Sequence, residues 1–128
     1  QYDGKDWRVL LADGSIKTGV AGPSGSNGIA QLNGINDQTG TSYTLALTDA
    51  GKDVRCTNAA PVTLTVPPNS SVAFAVGSVV LFSQGGAGAV TATAGSGVTL
   101  RAPNGATTTS QYDIRGLEKT DTDTWRVV

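Results

Sequence analysis

Apolar residues in this chain recur at every second position far more often than at helical spacing. Val62-Thr-Leu-Thr-Val66 alternates cleanly and stops at Pro67-Pro68. Strict alternation is the pattern of a strand with one buried face. Tyr43-Thr-Leu-Ala-Leu47, Asp53-Val-Arg-Cys-Thr57, Ala89-Val-Thr-Ala-Thr93 and Gly97-Val-Thr-Leu-Arg101 read as further strands. Thr48-Asp-Ala-Gly51 and several glycine-bearing segments read as the turns between them. Val79-Val-Leu-Phe82 is different. It is continuously apolar, the mark of a strand covered on both faces. Ser110-Gln-Tyr-Asp-Ile-Arg115 and Thr124-Trp-Arg-Val-Val128 close the chain as strands.

The N-terminal third follows other rules. Trp7-Arg-Val-Leu-Leu11 and Ser15-Ile-Lys-Thr18 flank Asp13-Gly14. Asp-Gly between two strand-like runs predicts a hairpin, because a type I′ turn needs positive φ at both central positions. Trp7, Val9 and Leu11 share one face of it, and a lone hairpin must dock that face on something. Residues 19–40 are rich in Gly, Asn, Ser and Gln and read as a connector. Ile29, Leu32 and Ile35 punctuate it at three-residue spacing, as one helical turn or as anchors of an extended arm. The expected organisation is a hairpin at 1–18, a Gly-rich arm at 19–40 and a β domain at 41–128. About nine or ten short strands with turn signals every 8–12 residues predict an all-β fold, a β-sandwich or jelly-roll-like domain.

Glycine sharpens the reading of the arm. Gly19, Gly22, Gly25 and Gly28 fall three apart, Gln31 breaks the beat, and Gly34 resumes it. Gly at every third position is the collagen register, because only Gly fits the axis of three polyproline chains. One triplet, Gly22-Pro23-Ser24, has proline in its second slot. The tract is thus either a collagen-like segment held by flanking domains or an extended connector reaching roughly 30 Å.

Charge changes the picture of the β domain. Between Arg55 and Arg101 lie 45 residues without Asp, Glu, Lys or Arg. Uncharged segments of high β-propensity are aggregation hazards when exposed. Either these strands are central in a closed barrel with Thr and Ser wetting the outside, or their face is buried against identical chains or a large assembly. An apolar fraction of only 38% favours the second arrangement. The net charge of −1 offers no basic surplus for nucleic acid. No run approaches the ~20 apolar residues of a membrane span. Cys56 is alone, so it forms no disulfide within the chain. The absence of Met predicts a trimmed chain or part of a longer one.

Little chemistry is on offer. The chain has no His, which removes Ser-His-Asp and Cys-His mechanisms and the usual zinc sites. Gly85-Gly-Ala-Gly88 lacks the Lys-Ser/Thr of a phosphate loop. Glu118, Asp121 and Asp123 cluster in sequence. They are the remaining candidates for two-carboxylate glycoside chemistry, and Asp121 and Asp123 are weak candidates for Ca²⁺. A solvated acidic turn explains them as well, and the expectation is no enzyme and no cofactor. Lys5-Asp-Trp-Arg-Val9 resembles Asp123-Thr-Trp-Arg-Val127. Trp7 and Trp125 are therefore expected either against a core or in docking between chains.

Residues 41–128 resemble a β module of tailed-bacteriophage virion proteins. The resemblance rests on Thr41-Ser-Tyr-Thr-Leu-Ala-Leu-Thr-Asp-Ala-Gly-Lys52, Val62-Thr-Leu-Thr-Val-Pro-Pro-Asn-Ser-Ser71, Phe74-Ala-Val-Gly77 and Asp123-Thr-Trp125. In that family the module often follows Gly-x-y tracts in fibres and other surface proteins. The resemblance implies a non-catalytic, homotrimeric component of the virion surface. Its expected partners are its own copies and the major capsid protein or a fibre or tail component, with neither nucleic acid nor membrane. Capsid decoration or a head fibre is the first expectation, and a glycan-binding tail-fibre tip is the alternative. Trp7, Val9, Leu11, Ile29, Leu32, Ile35 and Trp125 are the candidate anchoring residues.

Overall fold

The computed structural model describes residues 32–128. The candidate hairpin with Trp7, Val9 and Leu11, the tract Gly19–Gly22–Gly25–Gly28 and Ile29 lie outside the described residues.

Nine strands follow in order: β1 Ile35–Gln38, β2 Ser42–Thr44, β3 Asp53–Cys56, β4 Val62–Val66, β5 Val79–Gln84, β6 Val90–Ala94, β7 Thr99–Arg101, β8 Ile114–Asp121 and β9 Thr124–Val127. They form a β-solenoid of about three turns. Odd and even strands of the first six separate into two sheets. β1, β3 and β5 pair in parallel, and so do β2, β4 and β6. Each coil thus contributes one strand to each sheet, and the next coil stacks on it.

This overturns the sandwich or jelly-roll expectation. A sandwich strand pairs with a sequence neighbour through a hairpin, whereas here the turn between consecutive strands crosses from one sheet to the other. β3 finds its partners one coil away on either side. Short alternating strands with glycine-rich turns satisfy both folds equally. The distinguishing mark is a period, the signature of repeat architectures. Asp53 pairs with Leu81 and Val62 pairs with Val90, both 28 positions apart. The phrases Val62-Thr-Leu-Thr65 and Val90-Thr-Ala-Thr93 are that repeat seen in sequence.

Glycines let the turns stack. Gly85, Gly86 and Gly88 lie over the turn of the coil below, with Gly86 N–H donating to Cys56 O and Gly88 N–H to Asn58 O. A Cβ at Gly88 would fall 1.9 Å from Ala60 O, and one at Gly86 2.3 Å from Thr57 O. The Gly-Gly-Ala-Gly segment is therefore a backbone-on-backbone contact.

Register columns define the interior. Asn36, Val54 and Phe82 are aligned across one sheet, as are Gln38, Cys56 and Gln84. Tyr43, Leu64 and Ala92 are aligned across the other. Val54, Cys56, Leu64, Val66, Val80, Phe82 and Val90 are fully buried. Phe74, from the loop after β4, meets Trp125 edge to face at 5.2 Å.

The third coil is closed by antiparallel chain. β8 pairs with β5, and β9 folds back on β8 as a hairpin. The six-stranded sheet runs β1-β3-β5-β8-β9-β7. On the other sheet, Ala92 N–H donates to Ala106 O and Thr108 N–H to Val90 O, covering the β6 edge. β1 and β2 have no further strand on their outer edges among the described residues.

Candidate interaction surfaces

The three-stranded sheet presents hydroxyls. Its outward positions are Ser42, Thr63 and Thr91 in one row and Thr44, Thr65 and Thr93 in the next. Successive strands lie about 4.8 Å apart and alternate residues along a strand about 6.6 Å apart, so the array is regular. Thr91 Oγ1 and Thr107 Oγ1 lie 2.9 Å apart. No Asp, Glu, Lys or Arg occurs in these three strands. The uncharged stretch thus does not close a barrel. It supplies β4 to β6 and most of β7, with Thr and Ser outward in the three-stranded sheet and aliphatic residues inward.

The six-stranded sheet presents a different face. One outward row reads Ile35, Asp53, Leu81 and Gly116 in register. Val128 continues it, since Gly116 and Val128 exchange backbone hydrogen bonds. A Cβ at Gly116 would lie 2.9 Å from Val128 Cγ2 and 3.3 Å from Leu81 Cδ2. Those two side chains therefore lean over the glycine. Val79 and Ile114 stand on either side of the row and are 42% and 49% exposed. Two ion pairs flank the apolar centre. Arg55 grips Asp37 with Nε and Nη2 at 2.6 and 2.9 Å. Arg126 Nε donates to Glu118 Oε1 at 2.6 Å.

Asp53 sits within this face and is only 7% exposed. Ser83 Oγ donates to its Oδ2 at 2.9 Å. Its Oδ1 is buried and has no hydrogen-bond partner among the described residues. Burial pushes its pKa up, against the opposing pull of the Ser83 hydroxyl and the Arg55 charge. The Arg55 hydrogen bond holds Asp37 below its usual value, and the carboxylate raises Arg55 in turn.

The carboxylates that sequence placed together serve structure. Glu118 is held by Arg126. Asp121 Oδ1 accepts Thr122 N–H within its own turn. Asp123 Oδ1 accepts Asn69 N–H at 2.7 Å. No group of three metal-ligating side chains converges among the described residues, and no cavity is found among them. Beside Asn69, Lys119 is buried and donates through Nζ to Asn69 Oδ1 at 2.7 Å and Phe74 O at 2.6 Å. It clamps the loop after β4 onto the hairpin.

Of the candidate anchors, Leu32 and Ile35 are exposed and Trp125 is 1% exposed. Trp125 is thus a core residue, the first of the two readings of the Trp echo. Ile35 lies in β1, so the spacing of Ile29, Leu32 and Ile35 does not mark a helical turn at its last member. β1 itself falls within the segment read as connector. Val79-Val-Leu-Phe82 is covered on one face: Val80 and Phe82 are fully buried, and Val79 is exposed. The run was expected to be covered on both faces; both of its sides are apolar, but the outward side is covered only in part. Asp53 carried no sequence signal, because its burial depends on neighbours one coil away. No family model, curated protein or solved structure matches this chain.

Proposed function

We propose that this chain is a non-catalytic structural component of a tailed-phage particle surface, a homotrimer carried on its N-terminal segment. The observation that carries the reading is the parallel stacking of coils. A solenoid is built from backbone hydrogen bonds between successive turns and offers two long, flat outer faces. Such a unit is suited to surface contact. The carboxylates are engaged in turns and ion pairs. The sequence resemblance adds the phage particle, and the glycine triplets fit three arms gathered at one axis.

Capsid decoration or a head fibre is the preferred location, with attachment through residues 1–18. The test mixes the full chain with purified phage particles lacking it and sediments them. Co-sedimentation that is lost on deletion of residues 1–18 is expected. No binding, or binding that survives the deletion, overturns the anchoring role. The second reading, a glycan-binding tip, draws on the flat hydroxyl face of the three-stranded sheet. Specific signals on a glycan array that vanish in Thr65→Lys would favour it over decoration.

A further inference from the structure

We propose that copies of this chain meet through the outer face of the six-stranded sheet, the surface centred on Val79, Leu81, Ile114 and Gly116. The inference rests on the homotrimer reading above and names the face that makes it.

Three independent observations converge. First, β5 is a central strand that is apolar on both sides. Its inner side is packed in the core, and on its outer side Val79, with Ile114 of the neighbouring β8, is about half open beside Leu81 and Val128. Apolar side chains grouped on the outside of a central strand mark an interaction surface. Second, Asp53 Oδ1 is buried in that face without a donor among the described residues. A buried acceptor without a donor is costly, so a contact that shifts the side chains over Asp53 and brings an N–H or O–H to it is favoured. Arg126 uses Nε on Glu118. Its remaining guanidinium N–H groups have no partner among the described residues and can donate across an interface, since the fork carries five donors. Third, the face is self-complementary in charge. Three carboxylates, Asp37, Asp53 and Glu118, are matched in number by Arg55, Arg101 and Arg126 around the apolar Val79, Leu81 and Ile114. Copies of one such face meet without net repulsion, and apolar centre with polar rim is the ordinary anatomy of an interface. The hydroxyl face of the other sheet offers neither an apolar centre nor a buried acceptor lacking a donor.

The test is the native mass of the full chain by light scattering on a sizing column, over a concentration series. Wild type is compared with Ile114→Arg, Val79→Arg and, on the opposite face, Thr63→Arg. All three positions are solvent-exposed, and thermal unfolding verifies that each variant is folded. Wild type and Thr63→Arg are expected near three times 12.9 kDa. Ile114→Arg and Val79→Arg are expected as monomers, with dissociation at least a hundredfold easier. A trimer that persists in both of those variants, or that dissociates in Thr63→Arg, overturns the assignment of the face and leaves the trimer standing. A monomeric wild type at every concentration overturns the trimer itself and the face with it.

Discussion

The first coil and the two above it share a backbone path but differ in what they enclose. In coils two and three the interior columns hold Val54, Cys56, Leu64, Phe82 and Ala92, with one polar member, Gln84, which accepts the Thr108 hydroxyl. In the first coil the same columns hold Asn36, Gln38 and Tyr43. These are joined in one network. Asn36 Nδ2 donates to Tyr43 Oη at 3.0 Å and to Asp49 Oδ1 at 2.8 Å. Tyr43 Oη donates to Asp49 Oδ2 at 2.7 Å, and Gln38 Nε2 donates to Asn36 Oδ1. Ala46 N–H completes the shell of the buried carboxylate. A solenoid that ended on an aliphatic coil would expose its core, so terminal repeats carry polar residues. At the opposite end the same problem is met with the β8–β9 hairpin. Among the described residues, the first coil is filled by side-chain chemistry and the last is closed by backbone direction.

The contrast is broken most forcefully in the upper coils. Phe82→Ala empties the centre of coil three and is expected to cost about 3–5 kcal/mol in chemical denaturation. Gly88→Ala should follow at about 1–3 kcal/mol, because its methyl group meets the Ala60 carbonyl rather than a flexible side chain. An unchanged midpoint for Gly88→Ala would mean that the turns do not stack as described.

In the first coil Asp49→Ala strips three donors of their acceptor at once. A loss of roughly 1–3 kcal/mol is expected, concentrated in amide exchange of β1, β2 and the short 3₁₀ turn Leu47–Asp49. Equal loss of protection in β5 would show that the polar coil and the apolar coils are one cooperative unit.

Alkaline titration sharpens the comparison further. Burial, with Asp49 beside it, pushes Tyr43 up to about 12 from an ordinary 10.0. Burial likewise pushes Cys56 up to about 11 from 9.0. Both folded values exceed the unfolded ones, so the fold favours the protonated forms. Their contribution is full below pH 9 and is lost as pH rises, from 9 to 11 for Cys56 and from 10 to 12 for Tyr43. Tyr43→Phe should remove the upper part of that slope in pH-dependent thermal unfolding, and Cys56→Ala the lower. The smallest effect is expected outside both interiors. Thr63→Val on the outward hydroxyl row should change stability by no more than about 0.5 kcal/mol.

Much of the fold was legible residue by residue. Asp53–Cys56 and Val62–Val66 were expected as strands within a residue of where they lie, because alternation reports the buried face directly. Leu47 was expected within a strand but opens the 3₁₀ turn, where Asp49 accepts the Ala46 N–H and the chain turns toward β3. β1 was missed, since Ile35-Asn-Asp-Gln38 has one apolar residue and owes its extension to pairing with β3. Trp125 was legible as an aromatic on a strand, but its burial against Phe74 depends on a loop fifty residues earlier.

Local patterning put the strand after Arg101 at 110–115 rather than at Ile114–Asp121, but it did establish that this chain is all-β, where its strands fall from Asp53 to Arg101, and that it carries no histidine-based chemistry. Those follow from side-chain alternation, turn residues and composition, which act within a few positions. Only the tertiary structure decided the direction of pairing, the closure of the two ends and the burial of Asp53 and Lys119. Parallel stacking depends on which strand lies one coil away, at separations of 18 to 28 residues. At that distance hydrogen bonds and packing between coils set the outcome, and no local propensity encodes them.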